Sequence, residues 1–304
     1  MHNRRHLSRT AGDKVFSIIL IAPAFLVALS FILVPVLDSI LKSFQKYEVK
    51  NIISGKPGVW NNFGNYIRLF NNDKLLPSVT TTFTFVLFVV IAGFILSMTL
   101  ALILNSNIKG AKFLQGLMMT PWIIPTVISA LIWTWLYQSQ YGLVRFLVSL
   151  ASGGTITEFA MLNNPDTALL GVGFAALWKQ IPLMTLLLLA GLQGVPDEMI
   201  EAATIDGAGA PTRLFRIVIP YMMTVIKIVI SMAIIENFKQ FPLFWIMTGG
   251  GPDGATTTLA ILSYREAFVG MNLGSGAAVT TVWMLLMILV VFLYNRAFKA
   301  VDME

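Results

Sequence analysis

The 304-residue chain is 56% hydrophobic and only 12% charged, about half the charged fraction of an ordinary globular domain, which indicates a membrane protein. It has no cysteine, and both histidines, His2 and His6, lie in the N-terminal tail, which excludes thiolate metal sites, cysteine nucleophiles and a Ser-His triad in the body of the chain. The net charge of +6 does not indicate nucleic-acid binding, because the basic residues flank apolar segments, as membrane topology requires.

Six apolar segments are long enough to cross a bilayer as helices, since such a helix needs about 20 apolar residues. The first is longer than the apolar region of a signal peptide and lacks a small-residue cleavage site, so we expect an uncleaved anchor. The sequence predicts an all-α membrane protein with six transmembrane helices, at about 15–37, 79–104, 116–137, 168–190, 217–237 and 277–295.

Basic residues set the predicted orientation of these spans, because Lys and Arg favour cytoplasmic loops. Four of them place the N-terminal tail, 1–14, in the cytoplasm, namely Arg4, Arg5, Arg9 and Lys14. Six spans, which make up a membrane domain at 15–295, return the C-terminal tail, 296–304, to the same side. The loop at 38–78 runs against this pattern, because it carries six Lys and Arg residues and has to lie outside.

A charged segment separates the fourth and fifth spans, at 191–216. Pro196 can occupy the first position of a helix, and acids follow it in the first turn, where the helix dipole favours them. Gly207 can end that helix, and Pro211 can start a second one. The segment therefore predicts a cytoplasmic helix–turn–helix, with Ala202 and Ala203 as a smooth surface that another protein can approach. The alternative is a loop that lies on the membrane surface.

The stretch EAATIDGAGAPTRLFRIVIP, at 201–220, resembles the EAA signature of permease subunits of bacterial ATP-driven importers. We therefore name the segment at 191–216 the EAA loop. In that family this loop docks on the ATP-hydrolysing subunit. The resemblance implies docking positions at Glu201, Ala202, Ala203, Asp206, Gly207, Ala208, Arg213 and Phe215.

Nearly the whole chain is similar to carbohydrate permeases of the maltose-transporter F-subunit type. The similar stretches include FGNYIRLFNN, TPWIIPTVISALIWTWLYQSQYGLV and the TGGGP signature before the last span. Two positions depart from the pattern: Thr120 replaces the usual leucine, and Pro242 follows Phe241, where many relatives carry Phe-Asp.

Polar residues at membrane depth are costly and mark candidate sites. From the residues alone, we expect a local ion pair between Glu236 and Lys239. For Lys179 two alternatives stay open: it either pairs with another group inside the helix bundle or has a functional role. In maltose-type relatives the sugar lies in mid-membrane, and the resemblance implies substrate-pathway positions. They are Trp122, Thr126, Lys179, Gln180, Leu183, Asn237 and Gln240. Lys179 could bond a neutral hydroxyl or meet an anionic substrate.

The resemblance implies a non-catalytic permease subunit of a sugar importer in the bacterial inner membrane, which forms half of the translocation pathway and works by alternating access. The implied partners are a second homologous permease, an ATP-binding-cassette ATPase dimer, an extracytoplasmic sugar-binding protein, the sugar and the lipid bilayer. We expect no cofactor in this chain, because ATP and Mg would be used by the ATPase.

The sequence disfavours two other function classes. A stand-alone ion-coupled carrier or channel would need its own coupling acids in mid-membrane, for which only Glu236 and Lys179 are candidates, and no inverted repeat is visible. A membrane enzyme is disfavoured by the lack of catalytic groups. The stretch TGGGPDG, at 248–254, lacks the preceding strand and the Lys-Ser/Thr ending of a phosphate-binding loop, so we expect a flexible turn on the outer face.

Overall fold

The computed structural model describes residues 11–106, 109–156 and 158–301. The first ten and the last three residues of the predicted tails lie outside this part. Helices α1 and α2 and a π-helical stretch between them form the N-terminal part, at Ala11–Ala28, Val34–Ser43 and Leu29–Leu33. A surface segment follows at 44–74, with β1, α3, β2 and α4 at Gln45–Lys46, Val49–Ile53, Val59–Trp60 and Gly64–Phe70.

The central part of the chain runs from α5 to α10. Its helices are α5 Leu75–Asn105, α6 Ala111–Met118, α7 Thr120–Ile123, α8 Thr126–Leu136, α9 Leu143–Ala151 and α10 Pro165–Leu192. The C-terminal part contains α11 Asp197–Ile205, α12 Ala210–Arg213, α13 Ile219–Tyr221, α14 Met223–Phe238, α15 Pro242–Met247, α16 Leu259–Tyr264 and α17 Leu273–Val301. Two π-helical stretches lie at Leu214–Val218 and Arg265–Val269.

Within the described residues, four helical stretches are long and apolar enough to cross a membrane, namely Phe16–Ser43, Leu75–Asn105, Pro165–Leu192 and Leu273–Ala297. Two bent pairs bring the number to six if each pair is one span. The pairs are Ala111–Ile123 with Thr126–Leu136, bent by 93°, and Ala210–Tyr221 with Met223–Phe238, bent by 73°. Every predicted apolar segment falls on one of these stretches or pairs, while the number of crossings stays a prediction.

The third segment is broken because Pro125 follows Ile124. A proline pushes the residue before it out of the helical region, and both residues are extended here, with ψ angles of 130° and 141°. The break turns the short helix α7 away from α8 and exposes the last backbone carbonyls of α7.

Helices α5 and α10 pack along each other at the centre of the molecule. Phe85, Val89 and Leu188 are almost fully buried between them, and Phe238 of α14 joins the same core. Gly173 permits the close approach, because a Cβ atom there would lie 2.6 Å from the ring of Phe88. The most apolar window of the first span, in contrast, is 0% buried, so its side chains are left to face lipid or another chain.

Side-chain hydrogen bonds hold the glycine-rich stretch between α15 and α16, while the expected flexibility of this turn stays a prediction. Thr257 Oγ1 donates to the carbonyl of Gly250 at 2.8 Å, and Arg265 Nη2 donates to that of Gly249 at 2.7 Å. Thr256 is fully buried and its hydroxyl donates to the carbonyl of Gly251 at 2.6 Å. Side-chain hydroxyls and one guanidinium thus satisfy carbonyls that no helix or strand pairs.

The surface segment 44–74 adds a feature that the all-α prediction lacks. Strands β1 and β2 pair antiparallel, with Gln45 opposite Trp60 and Lys46 opposite Val59. Asn65 of α4 is fully buried, and its Nδ2 donates to the carbonyls of Ser43 and Gln45, both at 2.8 Å. Two-residue strands are too short to produce an alternating pattern, which is why the sequence did not predict them.

Candidate functional site

A cavity of about 550 Å³ opens between α7, α8, α10 and α14. Its wall combines an aromatic ring, a hydroxyl, three amides, two ammonium groups, a carboxylate and aliphatic side chains, the mixture typical of a small-molecule site. The structure brings all seven predicted pathway residues to this one cavity, namely Trp122, Thr126, Lys179, Gln180, Leu183, Asn237 and Gln240.

Lys179 projects from α10 toward the break in the third span. Its Nζ donates to the carbonyl of Trp122 at 3.3 Å and to that of Ile124. The last carbonyls of a helix have no partner within the helix, and a cation there also suits the helix dipole. Lys179 therefore stabilises the end of α7 and fixes the position of Trp122, whose side chain remains 45% exposed at the cavity.

An amide pair connects α10 to α14. Asn237 is 4% exposed, and its Nδ2 donates to Gln180 Oε1 at 2.7 Å and to the carbonyl of Ala233 at 2.8 Å. Within the described residues the side-chain nitrogen of Gln180, Nε2, has no hydrogen-bond partner, so it can donate to a ligand. The contact with Asn237 fixes the position of Gln180 and leaves its two N–H donors available at the cavity.

The predicted ion pair of Glu236 and Lys239 is present, with 2.8 Å between Oε1 and Nζ. Both side chains are more than half exposed, so the pair is screened by solvent and contributes little to stability. Its charges cancel, and Lys179 is left as the one unmatched charge among the residues that line the cavity.

The aliphatic part of the cavity wall was not predicted from the sequence. Ala176, Met184 and Leu187 lie on the same face of α10 as Gln180 and Leu183, and Val229, Met232 and Ala233 lie across from them on α14. A spacing of three and four residues along α10 relates these positions. Most other positions of α10 and α14 are apolar as well, so this face does not stand out from the sequence.

The EAA loop has two short helices joined at Gly207, which adopts a φ of +81°. Helix α11 begins at Asp197, with Pro196 one position before the helix rather than in it. Helix α12 begins at Ala210, with Pro211 in its first turn, and the π-helical stretch and α13 continue it. A left-handed residue at the end of α11 is what a glycine accommodates without strain.

Most of the predicted docking residues are accessible on the EAA loop, and one is not. Glu201, Ala202, Asp206, Gly207 and Phe215 are exposed, and Ala208 is half-buried. Ala203 is only 8% exposed, so it packs inward and does not form the expected surface with Ala202. On a helix, adjacent residues point about 100° apart, which places the two alanines on different faces.

Two further features of the EAA loop were not predicted. Arg213 donates from Nη1 to Thr204 Oγ1, so it joins the two short helices to each other. Ile205 is 86% exposed at the end of α11, and Phe215 is 66% exposed. Exposed large apolar side chains of this kind mark contact surfaces.

Comparison with known proteins decides the family. Residues 90–302, more than half of the chain, match the family described as binding-protein-dependent transport system inner membrane component.

The chain belongs to this family. As a binding-protein-dependent transport permease, it is a subunit of a larger transport system, and the alternative of a stand-alone ion-coupled carrier or channel is not favoured.

Similar permeases cover almost the whole chain. The trehalose/maltose transport system permease protein of Thermococcus litoralis is 33% identical over 92% of this chain and 93% of its own length. The sn-glycerol-3-phosphate transport system permease protein of Shigella flexneri is 33% identical over 93% of each chain. The sulfoquinovosyl glycerol transport system permease protein of Agrobacterium fabrum is 29% identical over 96% of this chain and 92% of its own length.

A solved structure shares the fold of this permease. It is a chain from a bacterial ABC transporter involved in the import of the acidic polysaccharide alginate, with a TM-score of 0.80, 19% identity and coverage of 95% of this chain and 96% of that one. The likeness supports the arrangement of helices described above, including the all-helical membrane architecture that the sequence predicted.

Proposed function

We propose that this permease forms half of the translocation pathway of an ATP-driven, binding-protein-dependent importer, and that its cavity binds a carbohydrate. The observation that carries the proposal is the convergence of Trp122, Thr126, Gln180 and Asn237 on one cavity from four separate helices. Sugars present hydroxyls, which amides and hydroxyls can bond, and apolar ring faces, which aromatic rings can cover.

The relatives support a carbohydrate or a carbohydrate-like substrate. They are named for trehalose and maltose, for sn-glycerol-3-phosphate and for sulfoquinovosyl glycerol, all of which carry at least two hydroxyl groups. Amide side chains suit that shared chemistry whether or not the substrate is also charged.

The exposed face of the EAA loop is the proposed docking site for the ATPase. Ile205 and Phe215 offer large apolar side chains there, and Glu201 and Asp206 supply charges at the rim that fix register. Arg213 is assigned a supporting role, because its bond to Thr204 holds the two helices of the loop at their angle.

The proposed partners follow from the family and its relatives: a second homologous permease, an ATPase dimer that uses ATP and Mg, and an extracytoplasmic binding protein. We place both termini and the EAA loop in the cytoplasm of a bacterial cell, and no catalytic step in this chain. Closure of the ATPase dimer would shift the permease between two arrangements of its helices. ATP and the loaded binding protein would each drive such a shift by binding one arrangement more tightly than the other.

Gln180→Met tests the carbohydrate site, because methionine keeps the volume and removes the amide. We expect uptake into vesicles by the assembled complex to fall roughly tenfold or less, since one hydrogen bond contributes about 0.5–1.5 kcal/mol and 1.4 kcal/mol is about tenfold. Gln140→Met, at an exposed position outside the cavity, is the control. If the Gln180→Met complex has its full ATPase content and takes up every tested sugar as fast as the unmodified complex does, the proposal is contradicted.

A further inference from the structure

The surface segment 44–74 connects the first candidate span, which ends at Ser43, to the next, which begins at Leu75. Its helix α4 buries Asn65 and Leu69, one turn apart, and turns Ile67 and Phe70 outward. Phe63, directly before the helix, is also turned outward. The three outward residues are spaced by four and three positions, so they form one stripe along the helix. They are 63%, 63% and 67% exposed, respectively, so an apolar stripe lies uncovered outside the candidate spans.

Aromatic rings extend this stripe toward β2. Phe44 stacks on Trp60 with 5.7 Å between ring centroids, and it meets Phe63 edge-on at 5.4 Å and Tyr66 at 5.2 Å. Trp60 is 58% exposed. Tryptophan and tyrosine have an apolar ring with one polar group, and they are enriched at the boundary between a membrane and water.

The same segment is basic. Its five cations are Lys46, Lys50, Lys56, Arg68 and Lys74, against two acids, Glu48 and Asp73. Lys50 already pairs with Glu48 at 2.7 Å, and this contact lowers the pKa of the Glu48 carboxyl. Because Lys and Arg usually favour cytoplasmic loops, this excess of positive charge makes the segment an exception. Anionic lipid headgroups attract such positive charge.

We propose that the outward face of the surface segment, formed by Trp60, Phe63, Ile67 and Phe70, lies in the boundary between lipid headgroups and acyl chains. Its excess basic side chains then contact anionic headgroups. Amphipathic helices with aromatic and basic residues bind membrane surfaces in this way. The inference rests on the two flanking helices crossing the bilayer and is independent of what the cavity carries.

Two observations favour lipid over a protein as the occupant of this face. Both ends of the segment join candidate spans, which keeps its helix within reach of the bilayer surface. The first span, directly before it, has a most apolar window that is 0% buried, so the exposed apolar surface is continuous from the span into the segment.

The chain has no cysteine, so single cysteines can carry a spin label. Ile67→Cys places the label on the stripe, and Asp73→Cys, exposed in the same segment and not one of its basic side chains, is the control. The labelled permease is reconstituted with its partner chains in vesicles of phosphatidylethanolamine and phosphatidylglycerol. The accessibility of the label to oxygen, which partitions into lipid, is compared with its accessibility to a water-soluble nickel chelate.

We expect the oxygen-to-nickel accessibility ratio to be several-fold higher at Ile67→Cys than at Asp73→Cys. Phe70→Cys, on the same stripe, should behave as Ile67→Cys does. Equal ratios with free access of nickel would overturn the proposal. So would shielding of Ile67→Cys that arises only when the binding protein is added, since that result would assign the face to a protein. In vesicles of phosphatidylcholine alone the ratio should fall, and an unchanged ratio would overturn the role of anionic headgroups.

Discussion

The cavity and the EAA loop differ in how their polar residues are held. At the cavity, Lys179 and Asn237 each bond two groups of the protein, and all of these contacts but the one from Asn237 to Ala233 cross from one helical element to another. On the EAA loop, Glu201 and Asp206 extend from the surface, and among its predicted docking residues only Arg213 has a side-chain bond within the described part of the chain. The cavity is thus arranged by the protein itself before a ligand enters, whereas the loop presents residues whose partners would belong to another chain.

This difference predicts different consequences of mutation. A substitution at the cavity should change the local structure as well as transport, because it leaves a protein group without its partner. A substitution on the EAA loop should leave the permease itself unchanged and act on assembly. Measurements of stability should therefore respond to substitutions at the cavity, and measurements of assembly to substitutions on the EAA loop.

The largest effect is expected for Lys179→Met, which leaves the carbonyls of Trp122 and Ile124 without their cation. Hydrogen bonds from a charged group contribute about 1.5–3 kcal/mol. Where transport requires the bent third span, uptake should fall roughly 10- to 100-fold, at 1.4 kcal/mol for each factor of ten. The loss should be the same for neutral and anionic substrates, and the thermal stability of the purified complex should fall with it.

Lys179→Arg serves as the control, since a guanidinium keeps the charge and can donate to both carbonyls. It should recover a large part of the uptake. Unchanged stability of Lys179→Met, with a loss confined to anionic substrates, would show that Lys179 binds the substrate and does not stabilise α7.

A smaller effect is expected for Gly207→Val on the EAA loop. The φ of +81° at Gly207 is disfavoured for a residue with a Cβ atom by roughly 1–2 kcal/mol, so co-purification of the ATPase should weaken about tenfold. No atom lies within 4 Å of a Cβ placed there, so a steric clash within the permease is not the cause.

Gly209→Val is the matched control, because Gly209 has an ordinary φ of −67° and lies two residues away. It should retain the ATPase. A full ATPase complement with Gly207→Val, or an equal loss with both variants, would contradict the proposal that the shape of the turn controls docking.

The two regions also differ in how much of them the sequence could predict. The helices of the EAA loop were predictable because proline and glycine act on the backbone next to them, at Pro196, Gly207 and Pro211. The burial of Ala203 and the bond from Arg213 to Thr204 were not, since both depend on how the two helices meet.

At the cavity, the resemblance supplied the residues but not their contacts. The partners of Lys179 are backbone carbonyls, and every residue has a carbonyl, so no side-chain pattern indicates which ones are free. The long apolar segments followed from composition alone, whereas Pro125 could indicate a break in the third segment but not the 93° angle between α7 and α8.

The central claim is that a carbohydrate occupies the cavity, and protection of a cysteine in its wall tests this most directly. Thr126→Cys introduces the one thiol of the chain at the cavity, and Thr134→Cys, two turns further along α8 and outside the cavity, is the control. In the reconstituted complex, the transported sugar should slow alkylation of Thr126→Cys by a maleimide and leave the rate at Thr134→Cys unchanged. Equal rates at Thr126→Cys with and without the sugar, in a complex that still transports it, would contradict the account.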